Sequence, residues 1–215
     1  MLARSSMNIP YEYCAYRFLE LWERFEKPLH IALSGKPSAV QIRGALKYYR
    51  VARNFKGLSN EVAEQISAEL LKASDECNGS YSSKVISLAS RFKNIFGQSN
   101  LSAASKLLWL RNRSPYLIYD SRAVNALRRL GNKFNKVNYI SYCEVWEREY
   151  KTRSGEISLA THGLVNLPRK YTATFTRTDD ELTELVHSKW FIERVFDIYL
   201  WEIGASKKPA CDKTE

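Results

Sequence analysis

Cysteine and histidine are scarce in this 215-residue chain, which has four cysteines and three histidines. The cysteines are far apart and form no CxxC pair, so the ligand spacing of zinc and iron–sulfur sites is missing. We therefore predict that the protein uses no metal and no cofactor. We interpret the cysteines as reduced thiols of a cytoplasmic protein and the isolated histidines as structural or surface residues.

Long apolar runs and several enzyme motifs are also absent. No segment reaches the length of about 20 apolar residues that a transmembrane helix needs. Residues 1–10 lack the apolar stretch of a secretory signal, so we expect no membrane partner. The sequence contains no GxSxG, no Walker-type lysine loop and no HExxH, and the enzyme classes that these motifs define find little support.

Positive charge and aromatic rings are abundant. Lysine and arginine number 33 against 23 acidic residues, which gives a formal net charge of +10, and 13% of the residues are aromatic. This balance suggests a polyanionic partner, and nucleic acid is the first candidate. A plain basic surface is the alternative. Hydrophobic residues make up 45% of the chain, enough to build a core.

The apolar residues recur mostly at helical spacing, and no strands recur at regular intervals. We predict an all-α fold, a compact bundle of about nine helices, with one domain at 1–204 and a frayed tail at 205–215. In the first helix, Trp22, Phe25 and Leu29 are expected on one apolar face. The main predicted segments are helices at 11–33, 38–54, 101–111, 137–153 and 157–167, an extended stretch at 116–119, a loop or short strand at 172–178, and a last helix or helix pair from 178 to about 203.

Two residues in the middle of the chain stand out for their chemistry. Lys106 lies on an otherwise apolar helix, where a lysine either snorkels to the surface or is partly buried against a carboxylate. Asp120 follows the apolar stretch Tyr116–Tyr119 and precedes an arginine-rich helix. Aspartate is a common N-cap, which alone explains its presence, although Ser121 could cap equally well.

The segment around these two residues resembles the catalytic core of the helix-hairpin-helix DNA glycosylases. Ala104–Leu108 is similar to the lysine-bearing helix of that family, Ile118–Arg122 to its aspartate turn, and Arg129–Gly131 to the R-L-G end of the following helix. The resemblance covers residues 101–131. The sequence departs from the family pattern in its Gln98–Ser102 stretch, which replaces a glycine-rich hairpin.

Further departures are a shorter spacing from Lys106 to Asp120, an arginine at 122 where the family often has histidine, and the absence of C-terminal iron–sulfur cysteines. A narrower resemblance is to antiphage glycosylases, which excise glucosylated hydroxymethylcytosine from viral DNA.

The resemblance implies a helix-hairpin-helix glycosylase-like fold and a monomeric enzyme that excises a modified or damaged base from double-stranded DNA. Asp120 would stabilise the positive charge that develops on the deoxyribose as the base leaves. Lys106 would act either as an amine that forms a Schiff base, giving lyase activity, or as a cation that positions the carboxylate or contacts the base.

A flipped-out base needs stacking partners, and a DNA backbone needs cations. Core packing and solvated helix faces are the alternative explanations for the same side chains. Two other functions stay open: a non-catalytic nucleic-acid-binding helical module, in which Asp120 is only a cap, and a protein-interaction domain. The candidate base-binding residues are Trp109, Tyr116, Tyr119 and Tyr48, and the candidate DNA-binding residues are Arg111, Arg113, Arg122, Arg128, Lys47, Arg50 and Arg53.

Overall fold

The computed structural model describes residues 9–76, 79–134, 136–168 and 178–205. Within these ranges the chain forms α-helices and short helical turns, with no strand. A π-helical turn at Trp22–Glu26 joins α1 to α2, and 3₁₀ turns occupy Ala52–Asn54 and Gly163–Asn166. The helices are α1 (Tyr11–Leu21), α2 (Lys27–Ser34), α3 (Ala39–Tyr48), α4 (Asn60–Asp75), α5 (Tyr81–Phe96), α6 (Leu101–Asn112), α7 (Ser121–Arg129), α8 (Tyr139–His162), α9 (Asp179–His187) and α10 (Lys189–Ala205).

The predicted all-α fold is confirmed. Because α1, the π-turn and α2 follow one another without a break, the described ranges contain nine helical segments, as expected. Residues 116–119 are not helical, as expected, and the last segment is a helix pair. The predicted loop or strand at 172–178 lies outside the described residues except for Thr178, and so does the tail after residue 205.

Helix starts follow the polar residues that precede them. The side chains of Ser38, Ser59, Ser80 and Thr178 each accept a hydrogen bond from the backbone N–H three residues later. Such bonds satisfy N–H groups that have no partner inside the helix. At the other end of α5, Gly97 adopts a left-handed conformation with φ of 74°, which glycine tolerates without steric strain.

Two predicted helices have different bounds in the structure. The helix predicted at 38–54 ends at Tyr48, and a 3₁₀ turn follows after Arg50, which has a positive φ of 56°. The break predicted between 153 and 157 is wrong. Gly155 lies inside the continuous helix α8, because glycine weakens a helix without necessarily ending it.

The chain divides into two compact units. The terminal unit comprises the described parts of Met1–Phe18, Asp120–Lys133 and Arg148–Glu215, and the middle unit comprises Leu19–Tyr119 and Phe134–Glu147. The division falls inside α1 and α8. Whether these units act as the single predicted domain at 1–204 stays a prediction.

The middle unit is built around α6. This helix packs against α2, α3, α4 and α5, and every residue from Ala103 to Leu110 is buried. A helix that is covered on all sides must be apolar all round, which explains the sequence of α6. The one long charged side chain inside this run is Lys106.

The terminal unit contains the packing of α7 against α10 and of α9 against α10. Gly204 lets α10 and α7 approach closely, because a Cβ at this position would lie 2.1 Å from the backbone oxygen of Arg122. The first turn of α7 is therefore in backbone contact with the end of α10.

Two further features bear on earlier predictions. Cys14 and Cys143 are buried and form no disulfide bond within the described residues, while Cys77 and Cys211 lie outside them. In the part of the chain that the structure describes, every helix is too short or too polar to cross a membrane.

Candidate functional site

Lys106 is buried in the centre of α6, with 5% of its surface exposed. Its Nζ donates a hydrogen bond to Ser102 Oγ, one helical turn earlier, at 2.9 Å. The same atom lies 5.6 Å from the centroid of the Tyr49 ring. Taking an ammonium group out of water costs free energy unless such contacts replace its hydration. Of the two arrangements expected for this lysine, snorkelling to the surface is therefore wrong.

Two adjacent tyrosines connect the lysine to a buried acid. The ring centroids of Tyr49 and Tyr48 are 4.9 Å apart in an edge-on arrangement. The Tyr48 hydroxyl donates a hydrogen bond to Glu26 Oε1 at 3.1 Å. Glu26 lies in the π-turn and is fully buried. Lys106, the two tyrosines and Glu26 thus form one polar and aromatic cluster inside the middle unit.

Hydrogen bonds with side chains hold the non-helical segment 116–119, which precedes Asp120. The backbone N–H of Tyr119 donates to Ser105 Oγ on α6 at 3.0 Å. The carbonyl oxygens of Leu117 and Ile118 accept hydrogen bonds from tyrosine hydroxyls on α8, each at 2.8 Å. These bonds replace the pairing that a sheet would give and fix the path of the chain up to residue 119.

These hydroxyls belong to Tyr139 and Tyr142, which are both fully buried. Burial raises the pKa of Tyr139, so its hydroxyl keeps the proton that it donates to Leu117.

Asp120 caps α7 in the terminal unit. Its Oδ1 accepts a hydrogen bond from the backbone N–H of Arg122 at 2.9 Å, and its side chain is half-buried. Of the two residues expected to begin this helix, the aspartate takes the N-cap position and Ser121 is the first helical residue. The positive end of the helix dipole favours an ionised carboxylate at this place.

The Arg122 side chain lies next to this cap and is held by an aromatic ring. Its guanidinium carbon is 4.3 Å from the centroid of Trp201 on α10. Arg17 lies 5.7 Å from the same ring and forms an ion pair with Glu202. The ring of Trp201 therefore gathers two cations close to the start of α7.

The predicted base-binding aromatic residues differ in exposure. Trp109 is buried and packs edge-on against Trp22, with ring centroids 6.4 Å apart, as a core residue does. Tyr116 is also buried, and burial raises its pKa. Tyr119 is half-buried and packs edge-on against Tyr142 at 5.1 Å. Of these rings and that of Tyr48, only the half-buried rings of Tyr119 and Tyr48 are partly open to solvent.

The predicted DNA-binding cations also fall into different groups. The Arg111 guanidinium donates to the carbonyl oxygens of Leu33 and Gly35 at the end of α2 and to Ser74 Oγ, so it has a structural role. Arg113 is half-buried, its guanidinium lies over the Trp22 ring, and burial lowers its pKa. The fully exposed members of the set are Lys47, Arg50 and Arg53 in the middle unit and Arg128 in the terminal unit.

The sequence did not point to Glu26. Regular helical spacing places Phe25 on the same face as Trp22 and Leu29, but Phe25 is 48% exposed and Glu26 is fully buried. A π-turn accommodates one more residue than an α-turn, so the fourth residue after Trp22, rather than the third, points inward. Trp22–Glu26 contains no proline or glycine, but Pro28 follows in the first turn of α2 and lacks the N–H that an α-helix would bond to the carbonyl of Arg24.

The middle unit presents a buried lysine beside an aromatic cluster, and the terminal unit presents a half-buried aspartate at the start of an arginine-bearing helix. Lys106 belongs to the middle unit and Asp120 to the terminal unit. A carboxylate at a helix N-terminus can stabilise a developing cation, and a desolvated amine can act as a nucleophile. Within the described ranges, histidine, cysteine and acidic residues form no group of three that could hold a metal ion.

Comparisons with protein-family models, with curated proteins and with solved structures found no match to this chain. The function of the protein must therefore be inferred from the chemistry of its own residues.

Proposed function

We propose that this protein is a DNA glycosylase that cleaves the N-glycosidic bond of a flipped-out modified or damaged base. The observation that carries the proposal is the position of Asp120, a half-buried carboxylate at the first turn of a helix that bears three arginines. A polyanion would be attracted to such a helix, and the carboxylate lies next to its first arginine, Arg122.

The chemistry follows from the charges that form as the bond breaks. The electron pair of the C1′–N bond leaves with the base, and the deoxyribose becomes positively charged. The Asp120 carboxylate stabilises this cation and orients a water molecule, whose oxygen bonds to C1′ while the proton that it loses ends on the departing base. The helix N-terminus favours the ionised carboxylate that this role requires.

Lys106 has two possible roles in this proposal. As a neutral amine it attacks C1′ in place of water and forms a Schiff base with the opened sugar. As an ammonium it contacts the base. Its side chain is buried and contacts Ser102 and Tyr49.

The exposed cations of the middle unit are proposed to bind the DNA backbone. Two tyrosines at the end of α3 lie between Lys47 and Arg50, and Arg53 follows. Cations interleaved with aromatic residues are typical of nucleic-acid-binding surfaces. The proposed partner is double-stranded DNA, and the protein is proposed to act as a cytoplasmic monomer. Among modified bases, glucosylated hydroxymethylcytosine is the first candidate, because of the narrower resemblance to antiphage glycosylases.

The test measures abasic sites in labelled duplexes that carry glucosylated hydroxymethylcytosine or one of a panel of damaged bases. Wild type is compared with Asp120→Asn. Asparagine is as good an N-cap as aspartate, so this variant keeps the helix start and removes only the charge. We expect a loss of activity of at least about 100-fold with little change in melting temperature.

The control variant is Asp180→Asn, which removes an exposed carboxylate from the first turn of α9. It should retain full activity. Equal activity of wild type and Asp120→Asn would remove Asp120 from the mechanism, and a wild type that releases none of the bases would contradict the proposal. Borohydride trapping of a covalent complex, compared with Lys106→Met, decides between the two roles of the lysine.

A second candidate is a non-catalytic nucleic-acid-binding module, and the exposed cations of α3 and the turn after it favour it. In that case Asp120→Asn would leave DNA affinity unchanged, and no base would be released by wild type.

A further inference from the structure

The π-turn at Trp22–Glu26 has a consequence for the surface as well as for the core. It buries Glu26 and turns the Phe25 ring outward, where 48% of the residue is exposed. Because π-turns are frequent at functional sites, the ring that this turn places on the surface is a candidate contact residue.

The exposed ring is supported from behind. Phe25 and Tyr48 form a stacked pair with ring centroids 5.8 Å apart and an angle of 29° between the planes. The Tyr48 hydroxyl is held by the buried carboxylate of Glu26. The Phe25 ring is therefore supported by an anchored neighbour before any ligand arrives, which lowers the entropy cost of binding.

The chain around Tyr48 carries charge of one sign. Residues 38–60 contain five cations and no aspartate or glutamate. Lys47 and Arg50, on either side of the two tyrosines, are exposed. Arg50 has a positive φ of 56°, a strained conformation for a residue other than glycine, and such strain is often retained at binding sites. The five cations are Arg43, Lys47, Arg50, Arg53 and Lys56.

We infer that Phe25, backed by Tyr48, is a stacking platform for an unpaired nucleobase, whose flanking phosphates contact Lys47 and Arg50. Aromatic faces bind bases of any sequence, and interleaved cations bind the backbone. The acid-free run favours this polyanion over an apolar protein partner. The inference rests on the proposed function in taking DNA as the partner, but it assigns a second contact, in residues outside the segment that carries Asp120.

The experiment measures binding to a duplex with one unpaired 2-aminopurine and to a fully paired duplex of the same sequence. Stacking on an aromatic side chain contributes about 1–3 kcal/mol per base, so Phe25→Ala should weaken binding to the first duplex roughly 5- to 150-fold. Binding to the paired duplex should change much less. Bound 2-aminopurine should be more strongly quenched by wild type than by the variant.

Two matched variants sharpen the result. Phe25→Trp should restore binding, and Phe25→Leu, which keeps an apolar side chain without a π-face, should not. Ile31→Ala removes an exposed apolar residue from α2 and should have no effect. Circular dichroism checks that each variant folds.

The outcomes separate this inference from the proposed function. If wild type releases a base but Phe25→Ala or Phe25→Leu binds both duplexes as wild type does, the stacking platform is wrong and the glycosylase proposal stands. If wild type releases no base but binding to the unpaired base depends on Phe25, the platform stands alone. Absence of any DNA binding at low salt overturns the platform and leaves an acidic protein as the partner to test.

Discussion

Replacing Gly204 by alanine tests whether backbone contact between α10 and α7 fixes the start of α7. The new Cβ would lie 2.1 Å from the oxygen, 2.8 Å from the carbonyl carbon and 3.2 Å from the Cα of Arg122. All three are backbone atoms, so no side-chain rotation relieves the overlap. The two helices must separate at the turn that Asp120 caps.

The expected size of the effect comes from two opposing terms. Overpacking of this kind costs about 1–3 kcal/mol or more. Alanine is the better helix former by about 1 kcal/mol in a helix interior, but Gly204 is the penultimate residue of α10, so only part of this gain reduces the net loss. For a chain of this length, 1 kcal/mol shifts the melting temperature by about 2–4 °C. We expect a fall of several degrees.

The measurement is thermal unfolding followed by circular dichroism. The control is Gly155→Ala in α8, where an added Cβ would meet nothing within 4 Å. This variant gains helix propensity without overlap, so its melting temperature should rise by about 1–4 °C. If Gly204→Ala melts at or above the wild-type temperature, the packing argument is refuted. If the proposed function is right, Gly204→Ala should also lose base-excision activity below its melting temperature.

Three further predictions concern the pH dependence of folding, thiol reactivity and a structural arginine. Burial lowers the pKa of His162, and so does His187, whose ring centroid lies 3.8 Å from that of His162. The neutral His162 ring therefore contributes stability that is present above about pH 6.5 and is lost as the pH falls through the lowered pKa. His162→Gln should flatten the fall of melting temperature between pH 7 and 5, and an unchanged slope would contradict this prediction. Burial raises the pKa of Cys14 to about 12, so iodoacetamide at pH 8 should label it in urea but not in the native protein, as mass spectrometry of its peptide would reveal. Arg111→Ala should lower the free energy of unfolding by about 1.5–3 kcal/mol in urea titrations, because it removes charged donors from the end of α2. The exposed control, Arg53→Ala, should lower DNA affinity alone. Equal stability of the two variants would contradict the structural role of Arg111.

The helical segments were predictable because local signals and the apolar period agree. Serines and threonines before apolar runs begin helices, and Gly97 ends one, so these bounds follow from short-range chemistry. The continuation of α8 through Gly155 was not predictable, because packing along the helix outweighs the intrinsic cost of a glycine.

The site was less accessible from sequence than the fold. The apolar surroundings of Lys106 allowed both burial and snorkelling, and only the packing of α6 by four other helices decides for burial. The exchange of Phe25 and Glu26 between surface and core depends on a π-turn; Pro28, just after it, interrupts the helical hydrogen bonds but does not by itself specify a π-turn. Asp120 as an N-cap was readable, because that bond is local.

The contact between Gly204 and Arg122 joins residues that are far apart along the chain. A ribosome therefore finishes the whole of the middle unit, and most of the terminal one, before the last helix emerges to support α7. Long-range contacts of this kind form late in folding. A nascent or prematurely terminated polypeptide that lacks this last helix would carry the aspartate on an unsupported turn, so any activity that depends on its placement is delayed until translation has passed residue 204.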